Sequence, residues 1–144
     1  MMPAETIAYS GPRITPEQVA EGVLKTGIEP VPDEFCSTVR RRHRCACGLG
    51  IVLAARFGVP TLDRVGKEAD DSGDPTYVYE KLELDDNYGT AFVDGFDRYD
   101  SEGHISFRNP ALHAGWTDGV ASRIAADTAW AQLQAAKPPT KGTP

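Results

Sequence analysis

Long apolar runs and cysteine are both scarce in this 144-residue chain. No apolar stretch reaches the roughly 18 residues that a membrane-spanning helix needs, so no such helix is expected. The first residues hold no basic region followed by an apolar one, so no secretory signal is expected. The 3 cysteines are an odd number for a disulfide framework, and they favour a reducing compartment. These absences predict a cytoplasmic protein without a membrane anchor.

A surplus of positive charge is also missing. The formal net charge is −6, and a nucleic-acid binder needs a concentrated basic surface to neutralise phosphates. A nucleic-acid partner is therefore not expected. The length favours one domain. We expect a flexible arm at 1–13, a helical domain at 14–134 and a disordered tail at 135–144.

Capping signals and apolar periodicity predict helices. Thr15 begins a capping box with a proline at the first helical position, which indicates a helix over 16–26. From Cys45 onward apolar residues recur every fourth position, which indicates a buried central helix. The helices expected in all are 16–26, about 46–57, 75–83, 86–97 and 110–133. The apolar run at 76–84 fits a strand as well, and the polar, acidic stretch 61–74 is expected to hold a single helical turn at 62–68. The sequence thus predicts an all-α, or nearly all-α, bundle of about five helices around the central one.

Two of these helices share a pattern in which a small residue precedes an aromatic one and Asp-Gly follows. It reads Ala-Phe-Val-Asp-Gly at 91–95 and Gly-Trp-Thr-Asp-Gly at 115–119. Glycine inside a helix costs about 1 kcal/mol relative to alanine, so close packing of the two helices is the expected reason for it. A functional alternative is that Asp94 and Asp118 form a carboxylate pair that shares a proton or a cation.

Potential zinc ligands cluster near the start of the central helix. They are Cys36, His43, Cys45 and Cys47. Their spacing departs from the C-x2-C turns of common zinc sites. An extended backbone would point residues 43, 45 and 47 to one side, whereas a helix that includes Cys45 would point Cys47 away from it. The helix is favoured, because free cysteine is among the most buried residue types.

The same segment offers thiol and anion chemistry. A cysteine at a helix N-terminus beside basic residues would have its thiolate favoured, but no hydrolase or phosphate-loop motif accompanies it. Arginines just before a helix start could bind an anion or an acidic partner. The simpler interpretation is weak surface pairing with acidic residues between 68 and 74. The arginines concerned are Arg40, Arg41, Arg42 and Arg44.

Four short motifs together resemble small bacterial or phage proteins of no assigned function. They are Thr-Gly-x-x-Pro-Val at 26–31, Cys-x-Leu-Gly at 47–50, Ala-Phe-x-x-Gly-Phe-Asp at 91–97 and Gly-x-x-Asp-Gly at 115–119. The third motif begins with Ala91, where those proteins have glycine. The resemblance spans most of residues 15–125 and implies a fold and an origin, but no activity or site.

These observations lead us to expect a small interaction or assembly module without catalysis or a cofactor of its own. Its partner would be another protein or a second copy of the chain. The alternative is a Cys/His zinc-binding or thiol-redox protein that uses residues 36–47. An enzyme built on Asp94 and Asp118 ranks third.

Overall fold

The computed structural model describes residues 9–31, 38–40, 43–74, 76–97 and 109–136. Within these residues it contains six α-helices and three short strands. The helices are α1 (Pro16–Thr26), α2 (Gly48–Phe57), α3 (Val59–Ser72), α4 (Thr76–Lys81), α5 (Asp86–Asp97) and α6 (Pro110–Ala136). The strands are β1 (Glu29–Pro30), β2 (Thr38–Arg40) and β3 (His43–Ala46). The expected all-α class and single-domain helical bundle are confirmed.

Side-chain caps set where the helices begin. The hydroxyl of Thr15 accepts a hydrogen bond from the Gln18 backbone N–H at 3.1 Å, and the Gln18 side chain accepts one from the Thr15 N–H at 3.0 Å. This reciprocal pair is the predicted capping box of α1. Backbone N–H groups at the start of α4, α5 and α6 likewise donate to the side chains of Asp74, Asp85 and Asn109.

A small sheet takes the place of the first turn of the predicted central helix. β3 pairs in parallel with β1 and antiparallel with β2, so that the strand order is β1-β3-β2. Cys45 lies in β3 opposite Glu29 and Thr38, and α2 begins at Gly48. The prediction that the helix includes Cys45 is wrong. Pairing on both sides satisfies the backbone N–H and C=O groups of this segment in an extended conformation.

α2 occupies the centre of the core, as the sequence predicts. Every residue from 48 to 54 is buried. Its last turn reaches the surface, and Phe57, which the sequence places on the buried stripe, is 43% exposed. The side chain is therefore a surface feature and not part of the core.

α3 is longer than the sequence predicts. The acidic stretch 61–74 was expected to hold a single turn, at 62–68, but α3 is a helix of 14 residues. Pro60 lies in its first turn, where proline is tolerated, and α2 ends before it at Phe57 with Gly58 as the C-cap residue. Leu62, Val65 and Ala69 form a narrow buried stripe that fixes α3 to the core.

α5 and α6 cross at close range through glycines. At Gly95, Gly115 and Gly119 an added Cβ atom would press against the backbone of the opposite helix. The predicted close packing of the two motifs is confirmed. Because α6 buries its small residues, the larger side chain of Ile124 is 53% exposed. Neither α6 nor any other helix of the described residues is long and apolar enough to cross a membrane.

Candidate functional site

A buried polar cluster surrounds Asp118 of α6. The guanidinium of Arg13 donates to both carboxylate oxygens of Asp118, each at 2.9 Å. The phenol of Tyr88 on α5 donates to the same carboxylate at 2.5 Å. Two-point arginine–carboxylate contacts are among the stronger hydrogen-bonded pairs in proteins. Asp118 thus joins the segment before α1 to both α5 and α6.

Tyr88 extends this cluster into the core. Its hydroxyl oxygen accepts from the backbone N–H of Ile14 at 2.8 Å, and its ring stacks on that of Tyr9 with centroids 5.1 Å apart. The Tyr9 hydroxyl donates to the carbonyl of Pro12 at 3.0 Å. Burial, and then the hydrogen bond to Asp118, raise the pKa of Tyr88 above its ordinary value, so the phenol keeps the proton that it donates.

We call the cluster of Arg13, Tyr88 and Asp118 the Asp118 clasp, because its hydrogen bonds hold the segment before α1 against α5 and α6. Asp118 is nearly buried, whereas Asp94, its equivalent in the repeated motif, is exposed on α5. Among the described residues no hydrogen bond joins Asp94 to Asp118, and their predicted pairing stays a prediction. Arg13 was not among the candidate residues. It lies 105 positions from Asp118, and the sequence signal for it is indirect, since a buried carboxylate requires a cationic or hydrogen-bonding partner.

The cysteines of the candidate zinc segment are buried. Cys45 is 0% and Cys47 is 2% exposed, and neither forms a disulfide. The Cys45 thiol donates to Oε1 of Glu29 over 3.6 Å, because the parallel pairing of β1 and β3 sets the two residues side by side. Cys47 is the N-cap residue of α2 and keeps an extended backbone. The chain from residue 43 to residue 47 therefore has the extended form that the sequence analysis disfavoured.

The remaining candidates in this segment are only partly described. Cys36, Arg41 and Arg42 lie outside the described residues, and only the backbone is described for Arg40 and His43. Within the described part of the chain, no group of three or more His, Cys, Asp or Glu side chains is placed to hold a metal ion. Of the four predicted zinc ligands, the structure therefore describes the side chains of Cys45 and Cys47. The Glu29 carboxylate lies beside Cys45.

Arg44 is paired within the chain. Its guanidinium lies 2.7 Å from the carboxylate of Asp63 on α3, and the two side chains are 34% and 44% exposed. The partner is an acidic surface residue, as the simpler interpretation predicts, but it precedes residues 68–74. Exposed pairs of this kind contribute at most about 1 kcal/mol. The contact links β3 to α3.

Two aromatic side chains face solvent where α2 ends beside α4. Phe57 is 43% and Tyr77 is 41% exposed, and the Lys81 ammonium lies 4.6 Å from the centre of the Phe57 ring. Tyr77 and Lys81 are four residues apart on α4 and so share one face of that helix. We call Phe57, Tyr77 and Lys81 the α2–α4 aromatic surface. This surface could not be predicted from the sequence, because the apolar periodicity of α2 places Phe57 in the core.

The described surfaces differ in whether their side chains are paired within the chain. Asp118 is paired with Arg13, and Arg44 is paired with Asp63, whereas the α2–α4 aromatic surface faces solvent. Comparisons with protein families, with curated proteins and with solved structures found no match for this chain.

Proposed function

We propose that this chain is a non-catalytic assembly module that associates with a second copy of itself through the α2–α4 aromatic surface. The observation that carries the proposal is the exposure of Phe57 and Tyr77 around Lys81 on well-packed helices. Aromatic residues are enriched in protein interfaces, where rigid rings give large contact areas. Ordered helices would present these rings without a large cost in backbone entropy.

The charges of the aromatic surface itself, unlike the net charge of the chain, favour a second copy as the occupant. The chain carries −6 overall, so two copies repel each other over most of their surfaces. The aromatic surface carries Lys81, and Glu80 is exposed beside it on α4, so opposite charges lie next to each other there. A two-fold axis sets one surface against itself, which requires self-complementarity. Lys81 of one copy could then pair with the partner's Glu80.

Light scattering over a concentration series tests self-association. The wild-type mass should rise towards that of a dimer, and the double variant Phe57→Ser with Tyr77→Ser should stay at the monomer mass. The matched control is Leu24→Ser with Ile124→Ser, which removes two other exposed apolar side chains and should associate like the wild type. A wild type that remains monomeric at the highest concentration contradicts the proposal. So does a control that loses association to the same extent.

The geometry of β3 favours a second candidate, a zinc-binding or thiol-redox protein using residues 36–47. The supporting observation is the extended backbone through Cys47, because alternate residues of an extended chain face one side. Glu29 adds a carboxylate beside Cys45. Zinc content and thiol titration of the purified protein test this candidate. Stoichiometric zinc that is lost in Cys45→Ser supports it; no zinc, with all 3 thiols reactive on unfolding, excludes the metal.

A further inference from the structure

A groove with a cavity volume of about 220 Å³ runs between α1 and α2. Its floor consists of small or apolar residues, namely Gly22, Val52 and Ala55. A Cβ atom at Gly22 would lie 2.8 Å from Cγ2 of Ile51, so glycine is needed for the close approach of the two helices. The groove is therefore a product of tight packing on its floor and of longer side chains on its rims.

The rims carry charges of both signs. Glu21 and Lys25 come from α1 and Arg56 comes from α2, and all three are exposed. Glu21 and Lys25 have the i, i+4 spacing of an ion pair, yet the Lys25 ammonium donates across the groove to the carbonyl of Ala55 at 3.0 Å. To the extent that the chain is described, Glu21 and Arg56 make no hydrogen bond or ion pair. A carboxylate and a guanidinium thus face one cavity without pairing.

We propose that this groove binds a small zwitterion with an apolar side chain, either a free amino acid or a dipeptide. The ligand's carboxylate would bind Arg56 and Lys25, and its ammonium would bind Glu21. Arginine suits a carboxylate because its planar guanidinium can donate two parallel hydrogen bonds. The apolar side chain would lie on Val52 and Ala55.

The charges and the size of the groove select this ligand class. A simple carboxylate would leave Glu21 facing a like charge, and a simple amine would be repelled by Arg56 and Lys25. A zwitterion satisfies both signs at once. Pockets for drug-sized ligands span about 300–1,000 Å³. The smaller groove suits a ligand of one or two residues.

An NMR titration of the full chain tests the proposal with L-valine and with L-alanyl-L-valine as probes. Saturable shifts of the Gly22 and Ala55 amides are expected for at least one of them, and which probe binds distinguishes an amino acid from a dipeptide. Isovalerate and isobutylamine, which are valine without its amino or carboxyl group, should each bind more weakly, by up to about fivefold for each exposed charge pair that is lost.

Variants of the rims complete the test. Arg56→Gln and Glu21→Gln should each weaken binding about fivefold, which is the effect of one exposed charge pair. Arg64→Gln on α3 and Glu17→Gln on α1 remove exposed charges outside the groove and serve as controls. The proposal is overturned if neither probe gives saturable shifts up to about 10 mM, or if both groove variants bind like the wild type. The double variant of the aromatic surface retains the groove and should still bind, so the test does not depend on self-association.

Discussion

Asp118 illustrates how a buried charge is stabilised by residues that are distant in the chain. A desolvated carboxylate is unfavourable unless hydrogen bonds and an opposite charge compensate for the lost water. Arg13 provides the charge from a side chain that is 44% exposed, and Tyr88 provides a fully internal hydrogen bond. The hydrogen bond between Asp118 and the buried Tyr88 hydroxyl should therefore contribute more to stability than the ion pair with the half-exposed Arg13 guanidinium.

Unfolding measurements on variants of Asp118 and Arg13 test which of the two contacts contributes more to stability. We expect Asp118→Ala to lower the free energy of unfolding by about 2–3 kcal/mol, because it leaves the buried phenol of Tyr88 without its nearest acceptor. Arg13→Gln should cost about 1 kcal/mol, since water screens an exposed guanidinium. Urea unfolding measures both. The control is Asp94→Ala, which removes the exposed aspartate of the matching motif and should change stability by less than about 0.5 kcal/mol. Equal losses in the two aspartate variants would contradict the structural role of Asp118.

Tyr88 should make stability fall at alkaline pH. Its pKa is raised in the folded protein above the ordinary value of 10.0, chiefly by burial. Above about pH 10 the unfolded chain loses the phenol proton while the folded chain retains it, so stability falls by up to about 1.4 kcal/mol per pH unit. Below that pH both states are protonated and the contribution is fully present.

Urea unfolding between about pH 9 and pH 11.5 measures this slope. Tyr88→Phe should be less stable at neutral pH, but its stability should fall less steeply above about pH 10. Burial also raises the pKa of Tyr9 and Tyr79, and these residues account for slope that persists in the variant. A variant whose stability falls as steeply as that of the wild type would show that Tyr88 is not the group that titrates.

At the scale of the elements, the sequence predicts those boundaries that depend on contacts between residues close together in the chain. The start of α1 follows from hydrogen bonds between Thr15 and Gln18, which lie three residues apart. β3 was missed because its partners, Glu29 and Thr38, come from separate segments with no shared periodicity. Expected burial could not distinguish a strand from a helix at Cys45 either, since the residue is as buried in a paired strand as it would be in a helix.

The candidate sites divide in the same way. Asp118 could be selected because its glycine-flanked motif marks a close helix crossing, and the structure places it in the buried clasp. Arg13 could not be selected, because its contact with Asp118 depends on how α1 and α6 pack. The aromatic surface depends on where α2 emerges from the core, which periodicity alone does not determine.

The crossing of α5 and α6 depends on the missing side chain at Gly119. Alanine is the better helix former by about 1 kcal/mol, but its Cβ atom would press against the carbonyl oxygen of Phe92. We expect Gly119→Ala to lower the free energy of unfolding by about 2 kcal/mol, because overpacking outweighs helix propensity. Thr117→Ala, at an exposed position of the same helix, should be neutral or slightly stabilising. Thermal unfolding decides, and a higher Tm for Gly119→Ala would contradict the close crossing.

At the scale of the whole molecule, the two proposals depend on different forces. Contact between aromatic rings acts at the α2–α4 aromatic surface, and attraction between opposite charges acts in the α1–α2 groove. Self-association brings two acidic chains together through aromatic rings, so net charge opposes it. Zwitterion binding in the α1–α2 groove joins opposite charges on exposed side chains, so electrostatics favour it. Ionic strength should therefore change the two processes in opposite directions.

Salt should strengthen self-association and weaken zwitterion binding. Between about 20 mM and 300 mM NaCl the screening length falls well below the size of the protein, so repulsion between two chains of charge −6 is reduced while the aromatic contact remains. Light scattering should show a lower dissociation constant for the dimer at high salt, and the same samples titrated by NMR should bind the zwitterion less tightly. The double variant Phe57→Ser with Tyr77→Ser should stay monomeric at both salt concentrations. Association that weakens with salt would mean that ion pairs, such as Lys81 with the partner's Glu80, and not the contact between aromatic rings, hold the two copies together.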